Sequence, residues 1–198
     1  NLTSLRAADN KITDVSSLTN LTKLTDLNLS NNSIHDFSPL NSLEKINKKR
    51  GFAKQIEEVD IINKGFTLPA AKNFDGSEIS LDTNDDGTLK LYEVVNKKGK
   101  NQPKVNDETE ELVPIHNQYT ITQKEGKYIL PDNIENGLYA VQWFKSYQQW
   151  GTFILNVNLQ KETGKKPTDT VELSSTDKVV YEVISAFSTT GLSMGITA

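Results

Sequence analysis

Two stretches near the N-terminus repeat each other at a spacing of 22 residues, and no other feature constrains the fold as much. The matched pairs are Leu2/Leu24, Leu5/Leu27, Ala7/Leu29, Asn10/Asn32, Ile12/Ile34, Asp14/Asp36, Val15/Phe37, Leu18/Leu40 and Leu21/Leu43. A fixed period of this kind marks a solenoid, in which each coil buries its apolar side against the next. Leu24, Leu27 and Leu29 fit a short strand with alternate residues pointing inward. Asn32 leaves that strand with an amide able to pair with backbone groups of its own turn and of the next coil. Ile34, Phe37, Leu40 and Leu43 fill the layer behind. Asp14 and Asp36 stand where a short acceptor caps a turn or a 3₁₀ helix. Ser4, Arg6 and Ala8, then Asp26, Asn28 and Ser30, fall between the inward residues. They are expected on the concave side, the usual contact surface of such arrays. Two coils do not bury a continuous core alone. They are expected to lean on the segment C-terminal to them, with upstream coils lost.

The motif from Asn10 to Leu43 resembles the internalin-type leucine-rich repeats of Gram-positive surface proteins. That family also uses coils of this length, with N-x-I-x-D followed by a small hydrophobic segment. The likeness covers about a fifth of the chain. It implies an immunoglobulin-like domain directly after the last coil, capping the solenoid and spacing it from the cell wall.

Composition narrows the chemistry. The chain has 198 residues and a net charge of −4, a poor balance for nucleic acid, which needs a basic face to displace phosphate counterions. It holds no cysteine, which excludes disulfides, thiolate metal sites and Cys nucleophiles. The two histidines, His35 and His116, stand far apart in sequence. No apolar run reaches the ~18–20 residues of a membrane span. No nucleophile–base pair, phosphate loop or His/Asp/Glu metal cluster is visible, so an enzyme is not expected.

After Leu43 the period stops, and Lys48, Lys49 and Arg50 read as a solvated closing turn. From about residue 55 the chain becomes short strands between turn signals. The expected strands are 56–62, 65–68, 78–81, 88–95, 112–115, 118–122, 127–130, 138–145 and 152–159. Tyr139, Val141 and Trp143 share one face, and so do Phe153, Leu155, Val157 and Leu159. The pattern predicts an antiparallel sandwich of immunoglobulin-like type. Trp143 and Trp150 read as core or rim packing.

One loop has metal-ligand spacing. From Asp82 to Glu93, oxygen-bearing side chains fall at positions 1, 3 and 5, Gly87 at 6 and Glu93 at 12, as in a calcium loop. Asp82, Asn84, Asp86, the Thr88 carbonyl and Glu93 would be the Ca²⁺ ligands. The flanks read as strands rather than EF-hand helices. The same residues also suit a plain acidic hairpin tip.

Residues 161–178 are polar and read as a linker. In the first half of residues 179–198, Val179, Val180, Val183, Ile184 and Phe187 share a helical face. The second half is rich in Ser, Thr and Gly. This segment resembles a pore loop of Trk/Ktr/HKT-type potassium transporters, through Glu182, Ser185, Ala186, Phe187, Leu192, Ser193 and Gly195. Thr189, Thr190 and Gly191 stand where that family carries its filter. A filter needs four such loops held between membrane helices, and one is present here.

The expected organisation is a leucine-rich-repeat fragment over 1–50, an immunoglobulin-like β-sandwich over 51–160, a linker over 161–178 and a pore-loop-like tail over 179–198. The tail is not expected to fold by itself. The expected function is a non-enzymatic bacterial cell-surface binding or adhesion module. It would be extracellular or cell-wall associated and would contact a protein or glycan on another cell or in the cell wall. The alternative, resting on the tail, is a fragment of, or fusion to, a potassium transporter.

Overall fold

The 22-residue period becomes a parallel strand pair. β1 (Ser4–Arg6) and β2 (Asp26–Asn28) align Ser4 with Asp26, Leu5 with Leu27 and Arg6 with Asn28. The structure, a computed structural model, describes residues 1–48, 50–115 and 119–160. Behind each strand the chain returns through a 3₁₀ turn, Ser16–Leu18 in one coil and Ser38–Ser42 in the next. Each turn is entered under an aspartate. Asp14 Oδ1 accepts the Ser16 amide at 2.8 Å and Asp36 Oδ1 accepts the Ser38 amide at 2.9 Å. Hydrogen bonds from the serine hydroxyls, and then these amides, hold both carboxyls below the usual aspartate range. At Asp36, burial pushes the other way and is outweighed by Ser38 and Lys72.

Asn32 stitches the coils together. Its Nδ2 donates to the carbonyls of Ala7 and Leu29, both at 2.9 Å, and its Oδ1 accepts the Ile12 amide at 3.0 Å. The ladder then continues one turn beyond the sequence period. The Leu29 amide donates to Gly51 O and the Asn31 amide to Ala53 O. Gln55 takes the place of Asn32 in this third turn. Its Nε2 donates to Leu29 O at 2.9 Å and Phe52 O at 3.2 Å, and its Oε1 accepts the Ile34 amide at 3.1 Å. The residue before each of Asn10, Asn32 and Gln55 has a left-handed backbone: Asp9 (φ 60°), Asn31 (φ 58°) and Lys54 (φ 60°). Gly51 also has positive φ, and a Cβ there would sit 2.7 Å from Leu27 O. Only glycine lets this strand approach β2 so closely.

The third turn runs without interruption into β3 (Phe52–Ile61). The remaining strands are β4 (Gly65–Phe66), β5 (Val94–Lys97), β6 (Lys100–Pro103), β7 (Thr122–Lys124), β8 (Lys127–Ile129), β9 (Gly137–Ser146) and β10 (Gln149–Val157). β10 is central, parallel to β3 on one side and antiparallel to β9 on the other. A second sheet has the order β4-β8-β7, and β5 pairs with β6 as a hairpin. Among the described residues there is no α-helix.

One core serves the coils and the sheets. Leu24, Leu29, Ile34, Phe37, Leu40 and Leu43 from the coils join Phe52, Val141, Trp143, Phe153 and Leu155 from the sheets, all essentially buried. At the meeting point Phe37 packs on Phe52 at 5.6 Å, Phe74 at 5.7 Å and Trp143 at 6.2 Å between ring centres. At Gly151 a Cβ would lie 2.5 Å from Trp143 and 2.7 Å from Gln55 O, its partners on the two neighbouring strands, so β10 has no room for a side chain there. The change at residue 50 is therefore a change of pattern within one compact unit, Asn1–Gln160.

Several expected strands are pared to single bridges. Segments 78–81, 88–95 and 112–115 pair only at Glu78, Leu81, Leu89, Tyr92, Leu112 and Pro114, with β5 taking up the end of the second. The reason is that this stretch changes partners. The Leu89 amide bonds Ile121 O, while Tyr92 bridges Ala140 on β9. The expected strand over 118–122 lies partly outside the described residues, as does His116. The linker and the pore-loop-like tail lie wholly outside them.

Candidate functional site: the strand face of the coils

Strand alternation decides which side chains reach this face. Leu5 and Leu27 point into the core, which turns Ser4, Arg6, Asp26 and Asn28 outward. All six residues expected on the concave side lie on or beside β1 and β2. Ser4 and Arg6 are exposed, and Ala8, Asp26, Asn28 and Ser30 are half-buried. Asp26 is the hub. It accepts the Ser4 hydroxyl at 3.1 Å and meets the Arg6 guanidinium at 3.4 Å. Asn28 turns its carbonyl to the Ser30 amide at 3.0 Å. Ser30 and Ala8 contribute backbone carbonyls, to the Asp9 amide and the Asn10 side chain.

Sequence reasoning missed one residue of this face. Arg50 reaches the other oxygen of Asp26 at 3.6 Å. The available signal was the place of Arg50 at the entrance to the third strand, and the broken period hid it. Beside this strand stands the tip of the β9–β10 hairpin, because the Phe52 amide donates to Gln148 O. That tip carries an exposed edge-to-face aromatic pair, Phe144 and Tyr147, with ring centres 5.4 Å apart. Trp150 lies half-buried across from Phe144, whereas Trp143 is fully buried.

The acidic loop is a hairpin tip with several internal hydrogen bonds. Thr83 bridges Leu89, and the Asn84 amide bonds Thr88 O at 2.8 Å. Asp86 Oδ1 accepts both the Thr88 hydroxyl at 2.6 Å and the Thr88 amide at 3.0 Å, which lowers its pKa. Asn84 Nδ2 donates to the Thr88 hydroxyl at 3.0 Å. Asp82 accepts the Tyr92 hydroxyl at 2.7 Å, and burial followed by Asp82 pushes that phenol up. Glu93 pairs with Lys104 at 2.6 Å. The five expected Ca²⁺ ligands lie along one hairpin. Among the described residues no three His, Cys, Asp or Glu side chains gather to hold a metal. Thr189, Thr190 and Gly191 lie outside the described residues. No described helix is long and apolar enough to cross a membrane.

No curated protein matches the chain. Among solved structures, two of CBM51-2 and INT domains from Clostridium perfringens ZmpB, one of them in complex with GlcNAc, are similar at 19% and 20% identity. They have TM-scores of 0.47 and 0.43, each over 79% of this chain. The functional domain of InlJ from Listeria monocytogenes is similar at 14% identity over 75% of this chain, with a TM-score of 0.44. The chain spans less than a third of the length of each: 29%, 30% and 27%. Residues 1–42 match the family described as Leucine Rich repeats (2 copies). That match spans the two coils that carry Arg6 and Asp26, about a fifth of the chain, and ends before Arg50.

Proposed function

We propose that this chain is a non-enzymatic binding module of a bacterial surface protein, extracellular or cell-wall associated. It holds a protein or glycan partner against the strand face of its repeats. The observation that carries this reading is the outward row of Ser4, Arg6, Asp26 and Asn28. They are polar, at least partly exposed, and set in register on two adjacent parallel strands. Strand faces of repeat arrays present such side chains at regular spacing to extended partners. Residues 51–160 act as an immunoglobulin-like cap that shares its core with the last coil. Parallel pairing of β3 with β10, which brings the first and last strands of that region together, supports that assignment. The transporter alternative rests on residues 179–198, which lie outside the described residues.

The test is surface-binding interferometry against panels of immobilised glycans and extracellular proteins. The double variant Ser4→Trp/Ser30→Trp crowds the strand face without changing its charge, and Thr22→Lys, outside the strands, serves as the control. Binding is expected to survive Thr22→Lys and to be lost in the double variant. A partner held equally well by all three chains would sink the proposal.

A further inference from the structure

The chain contains only two arginines, Arg6 and Arg50, among 22 basic residues. They are 44 positions apart in sequence, yet both reach one carboxylate, Asp26, from opposite sides. Their side chains are 79% and 67% exposed, while Asp26 is 31% exposed. Neither contact is a closed, two-bond fork. Each runs through a single Nη2, at 3.4 and 3.6 Å. A guanidinium has five N–H donors, so most of these donors face solvent.

Stability alone does not account for this cluster. Exposed ion pairs contribute about 0–1 kcal/mol, and a lysine would serve as well. Arginine differs from lysine in its planar fork, which matches a carboxylate bidentately. Two guanidinium groups on one aspartate leave a local excess of one positive charge, on a chain whose total is −4. A second carboxylate, arriving from outside, would balance the cluster. The β9–β10 hairpin tip, whose Gln148 carbonyl accepts the amide of Phe52 two residues after Arg50, carries Tyr147, 84% exposed, and Phe144. Arginine together with exposed aromatics is the side-chain set enriched where proteins anchor to one another.

We propose that Arg6, Asp26 and Arg50 form an anchor for an acidic segment of a protein partner. The two guanidinium groups bind its carboxylates, Asp26 positions them, and Tyr147 and Phe144 supply the adjoining apolar contact. This rests on the strand face being the binding face and names the chemistry it selects.

The probe is a fluorescein-labelled oligoglutamate peptide, with its glutamine counterpart and an oligoglucuronate as comparisons, followed by fluorescence anisotropy at low and high salt. The glutamate peptide is expected to bind, to weaken with salt, and to be preferred over both comparisons. In Arg6→Ala/Arg50→Ala its affinity is expected to fall about tenfold or more. Arg6→Lys/Arg50→Lys keeps the charge and removes the fork, and is expected to fall in between. Circular dichroism is expected to be unchanged in both. No binding of the glutamate peptide, or equal binding by the double-alanine chain, would overturn the anchor. Tighter binding of the glucuronate would also overturn it, in favour of an acidic glycan. A partner lost in Ser4→Trp/Ser30→Trp but indifferent to both arginines would overturn the anchor and leave the strand-face reading standing.

Discussion

A single side-chain amide decides how each coil is tied to its neighbour. Asn32 and Gln55 make the same set of bonds: two carbonyls accept from the amide nitrogen and one backbone amide donates to its oxygen. Asn10 and Asn32 are legible in the sequence because they fall 22 residues apart. Gln55 was not, because it comes 23 residues after Asn32 and is a different residue type. The extra methylene of glutamine reaches the same groups from a displaced backbone. Gln55 is 2% exposed, so its partners have no water to turn to. Gln55→Ala is expected to destabilise the fold by about 2–3 kcal/mol, the cost of stranding buried polar groups. Gln55→Asn is expected to lie between the two. Urea unfolding measures both, and an alanine variant as stable as the parent would show that the third turn carries no weight.

At the level of elements, turn chemistry was easier to read than strand pairing. The Asp86–Gly87 and Lys124–Glu125–Gly126 turns join segments that do pair, as Thr83 with Leu89 and β7 with β8. The strands 138–145 and 152–159 appear as β9 and β10 because their alternation is strong and they pair with each other along nearly their whole length. Segments 78–95 have similar alternation but split their pairing between two sheets, and nothing local in a sequence encodes a change of partner. Calcium spacing alone does not fix ligand geometry. Ligand order is a property of sequence, but convergence of ligands is a property of the flanking elements. Here strand-like flanks send Asp82 to Tyr92 and Glu93 to Lys104. A ligand that binds only the folded chain must raise its melting temperature. Excess Ca²⁺ is therefore expected to leave the melting temperature unchanged, and a clear upward shift would show that the hairpin opens to gather its oxygens.

In the molecule as a whole, the seam between coils and sheets is held by the aromatic cluster and by one titratable clip. His35 Nδ1 donates to Glu57 Oε2 at 2.7 Å, joining the second coil to β3, with Asp36 and Lys72 alongside. The Glu57 hydrogen bond raises the His35 pKa above 6.5 against the opposing effect of burial, and Asp36 adds to the rise while Lys72 reduces it. The charged pair therefore stabilises the fold fully below pH 6.5, and that contribution fades as pH climbs through the raised value. The melting temperature is expected to decline over that interval in the parent chain and to flatten in His35→Gln. Equal slopes would remove the clip. The clip was not legible because His35 and Glu57 meet only through the third turn. That turn has a mechanical consequence. The last strand of the repeats and β3 are one uninterrupted backbone, laid lengthwise along β10. Tension on the repeats reaches the rest of the molecule as shear along a row of hydrogen bonds loaded together, not as peeling of one bond at a time. Optical-trap pulling between residues 1 and 160 is expected to give one high-force rupture, and a staircase of small events would mean the seam yields first.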